Sequence, residues 1–535
     1  MIKFKTSLVA ALVAAGVVLI GSAPANAAGA TYVPITGTGS TWSQNALDQW
    51  RKNVAANYGM TVNYTGSGSS AGRSDYIKGI VDYAVSEIPF QSHPLDGSAP
   101  EVVPRGYAYM PIVAGGTSFM YNLKIGGKKV TNLRLSGDTI TKIFTGKITN
   151  WSDKAIAADN PGLALPNLGI VPVVRSDGSG TTAQFTLWMS KQYPAMWNAF
   201  CKTTGIGSGG TCGLTSQFPT YQGFKYQSGS NGVAGYVSQD YGVGAITYVE
   251  YSYALKAGFP VAKVLNKAGY YVEPTANSVA VALLKAKINT DKTDPSLYLT
   301  QILDGVYNNP DPRTYPISSY SYMIVPTEVG GVFTTKKGAT LGAFAHYMLC
   351  EGQQQAAALG YSPLPMNLVL AGFDQIKRIP GADPVADTNS ANCNNPTFRA
   401  GDSPSKNQLA LTAPQPPACD KQGPTQCDTG TGGSSDPSVQ PITGAPGDGT
   451  GNGNGNGTGA GTVNGTGAGT VTGAGMGTGS GNSIPVNVEA YPYKLPDQGF
   501  GYEQTTMTIS GVLLVLLIVL PPVFINMLRR PKRSR

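Results

Sequence analysis

From about residue 30 to 400, apolar runs alternate with stretches of helical spacing. The run TVNYT (61–65) leads into a Gly/Ser turn, RSDYIKGI (73–80) reads as helix, and VDYAVSE (81–87) is apolar until it ends in an acid. Upstream, SQNALDQWRKNVAANY places Ala46, Leu47, Trp50, Val54 and Tyr58 on one helical stripe. Strands handing over to helices at polar turns predict an α/β fold.

Three of those turns share a composition. GTGSTW (37–42), YTGSGSSAGRSD (64–75) and RSDGSGTTAQFTLWM (175–189) each set glycines and hydroxyl side chains at the start of a helix. A helix start exposes unpaired N–H groups and the positive end of the dipole, glycine lets an anion reach the backbone, and Ser or Thr adds donors. Any one of them is also an ordinary cap. Together, and with Arg175 in the third, they predict convergence on one tetrahedral oxyanion. Arg175 supplies a forked cation suited to such oxygens, and Asp177 would hold the guanidinium in place. Glu87, at the end of its apolar run, would accept a hydrogen bond only from a ligand that carries a proton, as phosphate does at neutral pH and sulfate does not.

The two ends change the meaning of the charge. Residues 1–28 have a basic start, a short apolar run and small residues at a cut site, the pattern of an export signal. Residues 507–528 are apolar apart from Thr508, Ser510 and Asn526, and the basic tail 529–535 follows; this reads as a membrane-spanning helix with a cytoplasmic end. The formal charge of the whole chain is +8. Removing Lys3 and Lys5 with the signal, and the five basic residues of the tail, leaves about +1 for the exported body, so nucleic acid is not an indicated partner. Between about 430 and 482 the Gly/Thr/Asn-rich sequence cannot bury a core and reads as a flexible linker, part of an extension over 401–506.

Six cysteines in an exported chain suggest disulfides. Sequence does not choose among the pairings; short loops favour Cys201–Cys212 and Cys419–Cys427, with Cys350–Cys393 by elimination. No CxxC occurs and the histidines are His93 and His346, so neither a metal site nor any other cofactor is expected. No GxxxxGK[ST] occurs, which leaves any ATPase to a separate partner.

TGTGSTW, YTGSGSSAG, VDYAVSE, IFTGKITNWSD and VVRSDGSGTT resemble, in that order, segments of the PstS-type phosphate-binding proteins of phosphate ABC transporters. SNGVAGYVSQDYGVGAITYVEYSYAL, YPISSYSYMIVP and LGYSPLP extend the resemblance to about residue 370. It implies a periplasmic-binding-protein fold: two α/β domains (29–110 with 320–400, and 111–319), hinge strands near 107–117 and 316–325, and a dehydrated anion in the interdomain cleft. By motif, Thr41 and the Trp42 amide, Ser69, Arg175, Ser179, Gly180 and Thr181 match the family's phosphate ligands, and Asp177 matches the arginine's partner. Glu87 stands where the family has an aspartate, and Trp42 where a phenylalanine is usual. The implied partners are inorganic phosphate, permease subunits and the membrane.

Other readings compete. GSGSSA (66–71) fits a dinucleotide-binding turn with Glu87 on the ribose. GSSAG (68–72) fits a hydrolase elbow around Ser70, with His93 or His346 as base. A surface adhesin, scaffold or sensor that keeps the fold without serving a transporter also suits the tail, and LPDQG (495–499) resembles a wall-anchoring signal.

Overall fold

The computed structural model describes residues 32–434 apart from 96, 208–211, 292, 294–296, 384–391 and 433. The expected export signal, the linker beyond 434, LPDQG and the apolar segment 507–528 lie outside the described residues. Among the described residues, no helix is long and apolar enough to cross a membrane.

In chain order the strands are β1 (Ile35–Gly39), β2 (Val62–Thr65), β3 (Tyr83–Ser86), β4 (Tyr107–Tyr121), the ribbon β5 (Lys124–Ile125) and β6 (Lys128–Lys129), and β7 (Arg134–Leu135). Then follow β8 (Val171–Arg175), β9 (Lys225–Gln227), β10 (Ala245–Glu250), β11 (Lys263–Leu265), β12 (Tyr271–Val272), the ribbon β13 (Lys287–Ile288) and β14 (Gln301–Ile302), and β15 (Ser318–Pro326). Eight of them form the main sheet, ordered β2-β1-β3-β15-β4-β10-β8-β9, and β12-β11-β7 form a smaller one.

The centre of the main sheet explains how distant segments meet. β1 lies parallel between β2 and β3, while β8 lies parallel between β10 and β9. These two groups are joined by β4 and β15, which run antiparallel from Tyr107↔Pro326 to Gly116↔Ser318; the far end of β4 pairs with β10. The segments 107–117 and 316–325 picked from sequence fall on this pair. Their register slips at Ser321/Tyr322, where Val113 and Pro111 are the successive partners. Pro111 has no N–H to give the ladder, and a bulge is where a buried strand tolerates that. Both strands are buried along nearly their whole length.

The helices that carry the site begin at strand ends on both groups. They are α1 (Gln44–Tyr58), α2 (Ser69–Ile77), α3 (Gly180–Gln192), α4 (Gly229–Ser238) and α5 (Tyr251–Ala257). On α1, Ala46, Leu47, Trp50 and Val54 are buried as the stripe predicts. Tyr58 departs from it: at 45 % exposure it gives its hydroxyl to Glu351 at 2.5 Å and sets its ring edge-on to Tyr347. An amphipathic side chain in the last turn can cover apolar surface and still reach water. Gly59 ends α1 at φ 65°, a conformation costly for any residue with a Cβ.

The three expected disulfides are present: Cys201–Cys212, Cys350–Cys393 and Cys419–Cys427. The second and third frame a feature that the sequence reading did not anticipate. After α6 (Ala276–Leu283), α7 (Thr335–Leu349) and α8 (Met366–Ile376), the described residues from 392 pack on the body and continue to do so past residue 400, where the sequence reading begins its extension. Cys393 is tied to Cys350 at the end of α7, and Asn395 and Thr397 bond the Leu349 and Leu364 carbonyls. The short helix α9 (Gln408–Leu411) packs on α6, and Arg313 bonds the Ala410 and Ala413 carbonyls. Asp420 then forms a buried ion pair with Lys263 of β11 at 2.7 Å, Arg134 bonds the Cys419 and Thr425 carbonyls, and Thr431 reaches Thr131 and Val261. Residues 392–432 are thus a strap from α7 to the small sheet.

Candidate functional site

The three Gly/Ser turns meet. Ser69, the first residue of α2, donates its hydroxyl to Glu87 Oε2 at 2.9 Å and accepts the Gly180 amide of α3 at 3.1 Å. Behind it the Ser70 amide bonds the Gly178 carbonyl at 3.0 Å, and Ser70 Oγ lies 3.2 Å from Ser216 Oγ. On the first loop, Thr41 Oγ1 lies 2.9 Å from Ser230 Oγ on α4 and accepts the Ser230 amide at 3.1 Å. The α3 start approaches so closely that a Cβ on Gly180 would fall 1.9 Å from Glu87 Oε2 and 2.7 Å from Ser69 Oγ. Only glycine fits there.

Glu87 follows β3 directly and is fully buried. Ser69 and Ser321 donate to its two carboxylate oxygens at 2.9 and 2.8 Å. Burial pushes its pKa up; hydrogen bonds from Ser40, Ser321 and Ser69, and the charge of Arg175, pull less strongly the other way. Arg175 ends β8 and is 2 % exposed. Its Nε donates to Asp177 Oδ1 at 2.7 Å, its Nη2 donates to Oδ2, and Nη1 points to Ser230 Oγ at 3.4 Å. The Gly229 amide also donates to Asp177, at 2.9 Å. Burial alone would raise the Asp177 pKa, but the guanidinium and the amide outweigh it and hold the carboxyl below its ordinary value. The Nε/Nη2 side of the guanidinium is thereby fixed, and Nη1 is directed toward Ser230.

Each residue of the expected ligand set lies in or directly beside this cluster. Ser179 caps α3 by accepting the Thr182 amide at 3.2 Å. The Trp42 amide donates to Ser40 Oγ at 2.9 Å. Thr181 Oγ1 is buried and has no protein partner, which suits a donor kept for a ligand. Sequence reasoning missed Ser230, Ser321 and the tyrosines that brace the first loop. Tyr253 donates to the Thr41 carbonyl, Tyr361 to that of Trp42 at 2.6 Å, and Tyr64 to that of Ser40 at 2.7 Å. QSGSNG (227–232) is a further Gly/Ser turn before a helix, so Ser230 carried the same signal as the other three.

The enzyme-like readings find no support in this geometry. Ser70 Oγ bonds Ser216 and Arg73, neither of which can act as a base at that hydroxyl. His93 bonds Ser92, and His346 lies within α7 stacked on Phe373 at 5.6 Å. Glu87 is enclosed by Ser69, Ser321 and Gly180 and does not face outward to a ribose. A cavity of about 370 Å³ adjoins the cluster, lined by Ser70, Arg73, Glu101 and Leu95 on one side and Ser216 and Gln217 on the other. A larger one, about 540 Å³, lies against Tyr58, His346 and Tyr347 and contains none of the cluster residues. Among the described residues, no group of three or more His, Cys, Asp or Glu could hold a metal ion.

A sheet crossed by two long strands, with an anion-type cluster where helix starts from both groups of strands converge, defines a solute-binding protein. Consistent with this, a family profile described as a PBP superfamily domain matches residues 23–351. The phosphate-binding protein PstS of Xylella fastidiosa (strain Temecula1) is 34% identical over 346 residues, which cover 65% of this chain and 85% of that protein. The phosphate-binding protein PstS of Haemophilus influenzae is 32% identical over 336 residues, covering 63% and 90%. The chain belongs to the PstS family of phosphate-binding proteins. A solved phosphate-binding protein from Stenotrophomonas maltophilia overlaps at a TM-score of 0.49 with 19% identity, covering 67% of this chain and 98% of that one, too loosely to carry residue roles across.

Proposed function

We propose that this protein captures inorganic phosphate outside the cytoplasm and delivers it to the permease of an ABC transporter. The observation that carries this reading is the buried Glu87 carboxylate, bonded to Ser69 beside the Gly180 amide, with the Arg175 charge close enough to act on it. Amides, hydroxyls and one guanidinium satisfy the oxygens of a tetrahedral anion, and a carboxylate in the same pocket tolerates that anion only if it brings a proton. In this reading Thr41, the Trp42 amide, Ser69, Arg175, Ser179, Gly180 and Thr181 serve as donors once the anion replaces the partners that Trp42, Ser69 and Gly180 hold without it, with Glu87 as acceptor and Asp177 as the guanidinium's anchor. The residues 29–110 with 320–400 form one domain and 111–319 the other, and they close on the ligand by bending at β4 and β15. Residues 507–528 anchor the body to the membrane.

The test is calorimetric titration of the exported body with phosphate and with sulfate. Submicromolar phosphate binding, weak sulfate binding and loss of affinity in Arg175→Ala support the reading. Absence of phosphate binding sinks it and leaves an adhesive or scaffolding role.

A further inference from the structure

We propose that Ser230 aims the Thr41 hydroxyl at the bound anion, by completing a one-way hydrogen-bond chain that begins on Arg175. This rests on the phosphate-site reading above and deepens it by adding a positioning residue that acts through Thr41.

The head of the chain has its direction fixed by what each group can donate. Arg175 is donor-only, so at the Nη1···Ser230 Oγ contact of 3.4 Å the serine oxygen accepts. Ser230 is fully buried, and its next contact is Thr41 Oγ1 at 2.9 Å. Either hydroxyl can donate at that contact, and Tyr253 also lies within hydrogen-bond reach of Ser230; the proposed chain is the arrangement in which Ser230 gives its one proton to Thr41. The Thr41 oxygen also accepts the Ser230 amide at 3.1 Å. Both lone pairs of Thr41 are then occupied by Ser230, and its own proton cannot return along the chain. It is left to point at the site as a pure donor.

Two further contacts fix the geometry. Asp177 accepts from both Arg175 Nε and the Gly229 amide, so the guanidinium and the start of α4 share one carboxylate and keep a set separation. Tyr253 spends its proton on the Thr41 carbonyl, which holds that loop from behind. A cation at the head of a hydrogen-bond chain polarises every member after it, so Thr41 becomes a stronger donor than an isolated hydroxyl. Such a donor suits an ionised tetrahedral oxyanion and rejects a ligand that must itself donate at that point. The chain also crosses between segments far apart in sequence, Thr41 after β1 and Ser230 on α4, so it forms only when those segments are together.

The experiment is a double-mutant cycle on the full chain, with inorganic phosphate as probe. Thr41→Val and Ser230→Ala are each expected to weaken binding about 10-fold. The double variant should be no more than about twofold weaker than Thr41→Val alone, because Ser230 acts through Thr41. Ser230→Thr, which keeps the hydroxyl, should restore most of the affinity. In stopped-flow traces the Ser230→Ala change should fall on the dissociation rate. Thermal melts identify any variant that fails to fold, and the cycle is then completed with Ser230→Cys, whose thiol is a poor link, expected to lie between serine and alanine. Wild-type affinity in Ser230→Ala, or a Ser230→Ala loss that persists undiminished in the Thr41→Val background, overturns the proposal while leaving the phosphate site intact. Wild-type affinity in Thr41→Val removes Thr41 from the site and overturns this proposal, while phosphate binding itself stands.

Discussion

Ser69, at the start of α2, and Glu87, just past the end of β3, are bonded to each other at 2.9 Å, and the same serine oxygen accepts the Gly180 amide from a helix more than a hundred residues away. A buried carboxylate is held there by hydroxyls, not by a directly bonded cation. That arrangement is unfavourable for folding and useful for discriminating anions. In the folded state the Glu87 pKa is raised, chiefly by burial. The folded protein therefore binds this proton more tightly than the unfolded chain, and stability falls as pH rises from the ordinary carboxylate range, about 4, through the folded pKa. Glu87→Gln should melt higher than wild type near neutral pH and lose that part of the pH dependence. It should also narrow the gap between phosphate and sulfate affinity. A variant that melts lower and still rejects sulfate would refute this account.

Asp177 holds the Nε/Nη2 edge of Arg175, which leaves the end that carries Nη1 for the site. Truncation to alanine removes the fixed charge and should weaken phosphate binding by about 100-fold or more. Arg175→Lys keeps the charge without the fork and should recover only part of the loss. The Asp177 carboxyl is held below its ordinary pKa, so its stabilising effect is complete above about pH 4 and disappears as pH falls through the depressed folded value. Asp177→Asn should flatten the acid limb of the melting profile, measured by circular dichroism between pH 2 and 6, and loosen phosphate through a mobile guanidinium.

Gly180 should prove irreplaceable for binding though not for folding. Alanine is well tolerated near a helix start, yet its Cβ would occupy the place of Glu87 Oε2. Gly180→Ala is expected to remain folded and to bind phosphate at least about 100-fold more weakly. Near-normal affinity would mean that the α3 start and Glu87 do not share the pocket.

The strap makes its own stability prediction. The Cys350–Cys393 disulfide closes a loop of 43 residues, and chain-entropy arguments assign such a loop about 4 kcal/mol, within a usual range of about 0 to 5. Replacing both cysteines with serine should lower the urea midpoint and open residues 392–432 to protease. Asp420→Ala leaves Lys263 buried without its partner and should cost about 3–5 kcal/mol, whereas Lys263→Met with Asp420→Leu should cost far less. Equal losses for the single and double changes would show that packing, not charge, holds this end.

Much of the site was legible because it is built from local signals. Glycines and hydroxyls after a strand announce a helix start, and Arg175 with Asp177 two residues on announces a braced cation. The order of strands was less accessible, since nothing near β4 or β15 says that they will lie side by side. Ser321 illustrates the difficulty: it bonds Glu87 from a strand 234 positions later, and a lone serine in an apolar strand looks like any other. Ser230 was within reach, because its turn has the same composition as the rest. The packed residues 392–432 were not, since proline-rich polar sequence carries no periodicity; their order comes from two disulfides and from side chains on the body that cap their carbonyls. Tyr58 shows a smaller failure, in which a correct stripe extends one turn past the buried surface.

The strap also settles where mechanical load enters the molecule. Thr431 and Gly432 are bonded to Val261, Thr131 and Glu273, next to the small sheet. Tension along the chain beyond residue 434 therefore reaches the body first at that corner. It would have to peel away the Cys419–Cys427 loop and break the Lys263–Asp420 pair before it disturbed the strands around Thr41 and Arg175. A pull from that side would in this way meet the strap before it met the strands next to Thr41 and Arg175.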